Sequence, residues 1–512
     1  VVLEVMMRMS REEKIDDVHE LIQIRLEKLR KIEEMGIDPY PHRYERTHRI
    51  SEIIDEFDDL STKNIKVKTA GRVRAKREHG RVIFLDIQDM GGKIQLYLKQ
   101  DNLGEHQWDF VDLIDIGDFI GVSGKVFLTR TGERTIEVGE ITMLAKSQRP
   151  LPVVKEVENR EGKRRFDAFT DKEARYRQRY LDLLLNPEVK ERFVLRTKVI
   201  DAIRRFLDAR GFVEVETPIL QPIYGGASAR PFTTHHHTLD MKIFLRIADE
   251  LYLKRLLVGG YEAVYEIGKD FRNEGIDRIH YPEFTQLELY QAYADYNDMM
   301  ELFEDMVEFV AVDVFGTLEF EYQGRGFSFK KPWRRLSLIE AIRDKTGIDI
   351  LEADVDQLLS ICVHHNIEVE KGMGWGNLVE RIGENLIEPN IVEPTFLCDY
   401  PRAVSPLAKP KQEDSRLVER FEPFCMGIEL GNSFTELNDP RVQRENFAVQ
   451  EEMRAKGDEE AQVIDEDFIM ALEYGMPPTG GLGVGIDRLV MLLTDSPSIR
   501  EVILFPLLRP RE

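Results

Sequence analysis

Two stretches of this sequence gather residue types that bind phosphate. The first is F-R-N-E-G-I-D-R-I-H-Y-P-E-F-T-Q-L-E, Phe271–Glu288, where Arg272, Arg278 and His280 stand among Glu274, Asp277, Glu283 and Glu288. An arginine fork grips phosphate or carboxylate through two parallel N–H bonds, and Phe284 offers a ring on which a base can stack. A hairpin laced with salt bridges would use the same residues. The second is Gly480–Leu493, G-G-L-G-V-G-I-D-R-L-V-M-L-L. Its glycines lead into an amphipathic helix predicted to begin near Asp487. Small residues let a ligand reach the backbone, a helix N-terminus favours anions, and Arg488 adds a charge. The spacing is not that of a P-loop, and no acid follows about 20 residues later in a βαβ unit, so a dinucleotide fold is not expected. The run His235–His237 lacks matching acids or cysteines for a metal. It reads as lining or supporting the pocket region.

These groups need a scaffold. Asn186, Pro187 and Glu188 supply a cap, an N1 proline and a first-turn acid. The helix they start is predicted to run to Arg210, with Gly211 after it and a strand over Phe212–Thr217 that ends at Pro218. Phe271–Glu288 reads as two strands around a turn at Gly275–Pro282. Residues 187–512 then form one α+β domain, helices packed on a mainly antiparallel sheet. Ahead of it, strands are predicted at Ile65–Arg77, Arg81–Asp89, Lys93–Lys99, Phe119–Thr129 and Arg134–Leu144, with a helical interval near Glu105–Leu113. Five strands with a helix after the third is the order of an OB-fold, a small barrel that often binds oligonucleotides. An N-terminal helix is expected from the S-x-x-E box of Ser10 and Glu13 and the apolar spacing of Ile15, Val18, Ile22, Leu26, Leu29 and Ile32. Boundaries follow: 1–64 helix and lead-in, 65–148 barrel, 149–186 linker, 187–512 large domain. The linker carries Lys163–Arg165, and Arg175–Tyr180 alternates arginine with aromatic residues. That pattern suits an RNA backbone or, equally, an interdomain salt-bridge patch.

Composition narrows the class. Of 512 residues 42% are apolar and 32% charged, which allows sizeable cores, and no run approaches the ~18–20 apolar residues of a membrane helix. Cys362, Cys398 and Cys425 are far apart, which excludes a disulfide framework and a cysteine zinc site and fits a reducing cytoplasm. A net charge of −23 argues against generic coating of nucleic acid, so any RNA contact must be locally basic.

Gly211–Pro218 with its helix, Phe271–Glu288 and Gly480–Leu493 resemble motifs 1, 2 and 3 of the class II aminoacyl-tRNA synthetases, in that order. F-R-N-E-G…H-x-P-E-F-T…E and G-L-G-x-G-I-D-R are similar to the aspartyl, asparaginyl and lysyl subgroup. Gly225–Phe232, Leu245–Lys254, Leu287–Asp295 and Gly431–Asn438 look like its bacterial lysyl members. The resemblance spans roughly residues 10–510.

The resemblance implies a class II catalytic domain behind an anticodon-binding OB-fold, in a homodimer whose motif 1 helix crosses the two-fold axis. It implies activation of L-lysine with ATP and Mg²⁺, then transfer to tRNA(Lys). A lysine ammonium needs acids, and Glu288, Tyr290 and Glu436 are available with Phe434 as a wall. Gly226 and Glu250 would receive the α-amino group, Arg272 and Asn432 the α-carboxylate. For ATP the implied residues are Arg272, Glu274, Arg278, His280, Phe284, Glu422, Glu429 and Arg488, with Phe284 and Arg488 sandwiching adenine. Glu422 and Glu429 would hold Mg²⁺; Arg272, His280 and Arg488 carry the catalytic charges. Phe84, Gln95 and Glu140, on the second, third and fifth strands, match anticodon-contact positions, and Arg72 and Arg74 would meet phosphates.

Overall fold

Alternation of apolar and polar residues fixes the first part of the chain. In β2 (Val82–Gln88) Ile83, Leu85 and Ile87 are buried, and in β3 (Lys93–Lys99) Ile94, Leu96 and Leu98 are. With β1 (Lys66–His79), β4 (Phe119–Leu128) and β5 (Arg134–Ala145) they close a barrel in the order β1-β2-β3-β5-β4. Only β3 and β5 pair in parallel. Two short helices, Gln100–Leu103 and Glu105–Asp112, follow the third strand and bury Phe110 and Val111. The computed structural model describes residues 19–152, 154–159, 162–167, 169–369, 373–455 and 463–510. The cap at Ser10 and Glu13 therefore lies outside the described residues. The helix itself, α1, is described over 19–34. It buries Ile32, and Arg25 ties it to the barrel unit through the carbonyls of Ser147, Arg149 and Ile116.

The chain divides into two compact units, Val1–Asp171 and Lys172–Glu512. In the second, α2 (Pro187–Asp208) starts after Asn186. The Asn186 amide donates to Asp182 at 2.7 Å instead of capping the helix. Gly211 sits at φ +82°, where L side chains are strained. The strand after it is shorter than Phe212–Thr217: only β6, Val213–Glu214, pairs with the sheet. Thr217 donates its N–H and hydroxyl to the Glu266 carboxylate at 2.9 and 2.8 Å, which draws the chain off the ladder before Pro218.

A nine-stranded sheet follows. Its strands are β6, β7 (Ala263–Phe271), β8 (Glu283–Ala292), β9 (Arg334–Ser337), β10 (Thr395–Cys398), β11 (Arg420–Cys425), β12 (Ile428–Glu429), β13 (Gly431–Thr435) and β14 (Thr479–Gly485). Their order is β9-β10-β11-β13-β14-β8-β7-β6, with β12 paired to β11. The pairs β6–β7 and β9–β10 are parallel and the rest antiparallel. One face carries Leu287, Leu289, Leu482 and Val484 into the main core against α2 and a helix at Tyr296–Val310. The other face is left for the site. The glycine run leads into a helix, as its sequence predicts, and is itself extended. It is the central strand β14, and the helix that follows spans Ile486–Leu493.

The arginines of Arg175–Tyr180 are taken up within their own unit. Arg175 and Arg179 both pair with Asp182, and Arg177 pairs with Glu173. Arg179 is wholly buried and also donates to the carbonyls of Leu504, Arg500 and Ile503. Of the two readings of this stretch, RNA contact loses its cations to internal ion pairs. Lys163–Arg165 fall on a hairpin strand, Gly162–Asp167.

Candidate active site

Three adjacent strands make the floor of a cavity. Tyr290 of β8 lies opposite Gly481 of β14, which lies opposite Phe434 of β13; one step along, Glu288, Gly483 and Asn432 form a second row. Side chains two apart on a strand share a face, so the outer strands raise functional groups and the central one raises none. A Cβ on Gly481 would fall 1.9 Å from Glu436 Oε1 and 2.6 Å from the Tyr290 ring, and one on Gly483 2.8 Å from the Gln286 amide. Glycine is needed here for space, not for a turn. The cavity measures about 370 Å³, ample for a small ligand.

Nearly all the residues singled out in this unit border it. Gly226, Glu250, Arg272, Glu274, His280, Phe284, Glu288, Tyr290, Glu422, Glu429, Asn432, Phe434, Glu436 and Arg488 line the cavity. Arg278 does not: it turns to the Tyr322 hydroxyl at 3.4 Å. Nor do His235–His237, which are exposed on and beside a strand at Thr233–His236; His235 meets Asp240 at 3.1 Å.

One end of the cavity is acidic. Glu250, Glu288 and Glu436 are 4%, 5% and 1% exposed. Glu288 accepts from the Tyr290 hydroxyl at 2.9 Å and the Gln286 amide at 2.8 Å. Burial, then Glu250 and Asp270, pushes its carboxyl up to about 8. Burial also pushes Glu436 up to about 8, while Lys254 pulls against it. Behind this end, Asp249, Asp270 and Glu288 bring carboxylate oxygens within 4.8 Å of one another. Arg246 compensates them, meeting Asp270 at 2.9 Å.

The other end is ringed by arginines. The Arg272 guanidinium lies 5.1 Å from the centre of the Phe284 ring, so one face of that ring is covered by a cation. Arg488 donates to the Glu429 carboxylate at 2.8 Å and its carbonyl at 3.0 Å. His280 bonds Asp277 at 2.7 Å. Glu422 and Glu429 stand on adjacent strands, joined by a tight turn at Met426 and Gly427.

These two acids suit a hard divalent ion, which takes carboxylate oxygens. The surroundings are crowded with further carboxyls that hold protons more readily than usual. Glu388 is pushed up to about 9 by burial, Glu422 and Glu429, and Glu380 to about 7 chiefly by burial. Arg420 did not stand out in the sequence, yet it pairs with Glu422 at 2.5 Å and donates to Asn432 at 3.0 Å. Its signal was its place two residues before Glu422 on one strand face. Lys254 and the Arg196–Asp487 pair, at 2.5 Å, also went unnoticed.

Comparison with known proteins agrees with this geometry. Residues 171–509 match the family tRNA synthetases class II (D, K and N), and residues 67–144 match the OB-fold nucleic acid binding domain. A lysine–tRNA ligase of Carboxydothermus hydrogenoformans is 54% identical over 97% of this chain and 99% of its own length. The lysine–tRNA ligases of Moorella thermoacetica and Clostridium novyi are 51% and 49% identical, covering 98% and 99% of this chain and 100% and 98% of their own. The chain belongs to the class II lysine–tRNA ligase family.

The barrel of this family member presents an aromatic row. Because Ile83 and Leu85 point inward, Phe84 points outward and is half-buried; it is not a core residue. Its ring lies 5.4 Å from Tyr97 and 6.3 Å from His79, and Tyr97 lies 5.8 Å from Phe127. Gln95 accepts from the Thr135 hydroxyl at 3.0 Å. Glu140 is farther along β5: the register beside Gln95 and Tyr97 is taken by Thr135 and Glu137. Burial, and after it the Glu140 carboxylate, push the Tyr44 hydroxyl up to about 12. Arg72 donates to the Gly117 carbonyl at 2.9 Å and lies 4.1 Å above the Phe119 ring. Arg74, on the same strand, is half-buried.

Proposed function

We propose that this chain activates L-lysine with ATP, forming lysyl-adenylate and pyrophosphate, and then transfers lysine to the 3′ end of tRNA(Lys) for protein synthesis. The observation that carries the choice of lysine is the acidic end of the cavity, with Glu288, Tyr290 and Glu436 around a strand of glycines and Phe434 as a wall. A buried ammonium needs a carboxylate partner; an aspartate side chain would need a cation there. Glu436 and Glu288 with Tyr290 receive the distal ammonium. Gly226 and Glu250 receive the α-amino group, and Arg272 with Asn432 the α-carboxylate.

ATP occupies the arginine-ringed end. Phe284 and Arg488 hold adenine, Arg272 clamps the α-phosphate, and His280 and Glu274 stand near the remaining phosphates. Arg278 would have to leave Tyr322 to join them. Glu422 and Glu429 would hold Mg²⁺, which neutralises phosphate charge when bound. No general base is required, since the lysine carboxylate is already ionised at neutral pH. It attacks the α-phosphorus, and pyrophosphate leaves. Catalysis is positioning together with charge stabilisation.

The barrel reads the anticodon through Phe84, Gln95 and Glu140, with Arg72 and Arg74 toward phosphates. Support for a homodimer comes from Val213, Ile219, Leu220 and Ile223, which are 39–54% exposed just after the motif 1 helix. Three buried, unpaired cysteines fit action in the cytoplasm, and no described helix is long and apolar enough to cross a membrane. The test is ATP–pyrophosphate exchange with each amino acid separately, on wild type and Glu436→Gln. Exchange should depend on lysine, and the variant should need far more lysine but little more ATP. Exchange driven by another amino acid, or equal effects on both substrates, would overturn the reading.

A further inference from the structure

The carboxylates of Glu250 and Glu436 share a buried partner. Lys254 follows Glu250 by one turn on the helix Glu250–Val258 and is wholly buried. Its ammonium is ion-paired with Glu250 Oε1 and with Glu436 Oε2, and lies 5.4 Å from the centre of the Phe434 ring. Each acid turns its other oxygen elsewhere. A Cβ on Gly226 would stand 3.6 Å from Glu250 Oε2, and one on Gly481 stands 1.9 Å from Glu436 Oε1; both glycines line the cavity. One internal ammonium therefore joins the backs of two carboxylates whose remaining oxygens border the cavity at two separate points.

We propose that Lys254 is a positioning residue that sets the distance between these two oxygens, and so selects a diamino acid with the chain length of lysine. The inference rests on the reading of Glu250 and Glu436 as the receivers of the two amino groups. Two carboxylates buried close together repel, and burial favours neutralising one of them. An ammonium held between them offsets that repulsion, pulls against the burial that raises both carboxyls, and stops them moving apart. Lys254 is itself held charged: burial works against its proton, but Glu250 and Glu436 outweigh it. Each acid can then offer one oriented oxygen to a separate ammonium. A substrate one methylene shorter cannot satisfy both oxygens. An apolar pocket alone would distinguish it only about 10–200-fold.

Wild type, Lys254→Met and Lys254→Arg are compared at full length by ATP–pyrophosphate exchange with lysine and with ornithine, beside melting curves. Lys254→Met should raise the lysine KM by roughly 100-fold, as expected for breaking a buried pair, and leave the ATP KM within about 3-fold. Its preference for lysine over ornithine in kcat/KM should fall by about 10-fold or more. Lys254→Arg keeps the charge on a longer, forked arm, so it should lose the same preference with a smaller rise in lysine KM. An unchanged preference in either folded variant overturns the proposal, and if Lys254→Met does not fold, Lys254→Arg decides. Wild-type exchange that ignores lysine would overturn the proposed function instead.

Discussion

At the scale of single residues, Arg272 and Glu288 carry the most exposed claims. Among the described residues the Arg272 guanidinium makes a long hydrogen bond, 3.4 Å, to the Ile247 carbonyl, lies over Phe284 and attracts the Asp270 carboxylate, which leaves it able to turn to a phosphate. Losing one preorganised donor costs about 3 kcal/mol of transition-state stabilisation. Arg272→Ala should therefore slow adenylate formation by at least about 100-fold in a folded enzyme; near-normal pyrophosphate exchange would remove the residue from its role. Glu288 makes a claim about protons. Its carboxyl is raised to about 8 among Asp249, Glu250, Asp270 and Tyr290, so at neutral pH it holds a proton that a lysine ammonium must displace. Below its raised pKa this displacement weakens binding, and the penalty fades as pH climbs through it. Apparent lysine affinity should thus strengthen from about pH 6 to pH 8, with ATP affinity unchanged. Calorimetry near pH 7 in two buffers of different ionisation enthalpy should show net release of protons as lysine binds. Zero release would mean that Glu288 is ionised before lysine arrives.

At the scale of elements, the barrel was legible because turn residues separate its strands and β3 alternates strictly. β3 begins and ends where the apolar–polar period does, since a slip of one residue would turn its core face outward. That alternation also separates Phe84 from the core and carries the next prediction. Base–aromatic stacking is worth roughly 1–3 kcal/mol, so Phe84→Ala should keep its melting temperature and its tRNA-free pyrophosphate exchange but charge tRNA poorly. A lower melting temperature with unchanged charging would misplace the anticodon site. The large sheet was less legible. Glycine disfavours strands; β14 is a strand because it pairs with β8 and β13 on its two sides, and it is glycine because Glu436, Tyr290 and Gln286 fill the space its side chains would take. Those residues come from other segments, so no local pattern announces the strand. The same holds for Lys254: its spacing from Glu250 is visible in the sequence, but its contact with Glu436 exists only once the sheet is assembled. Arg278 carries a motif position, yet its side chain is drawn to Tyr322.

At the scale of the whole molecule, a chain of net charge −23 has to approach a polyanion through local features, and the half-buried aromatic row of the barrel supplies stacking that needs no net charge. Assembly has its own test. Leu220, 54% exposed, stands with exposed Val213, Ile219 and Ile223 in the segment proposed to meet a second copy. Leu220→Asp should shift the enzyme from dimer to monomer in sedimentation and lower activity in step; a wild type already monomeric at micromolar concentration would contradict this. Charging needs both units: an acidic pocket that chooses lysine and a barrel that chooses its tRNA. Charging of unfractionated tRNA, with each amino acid labelled in turn, tests it most directly. Lysine alone should become attached, and only to tRNA(Lys); attachment of aspartate or asparagine, or of lysine without regard to anticodon, would contradict it.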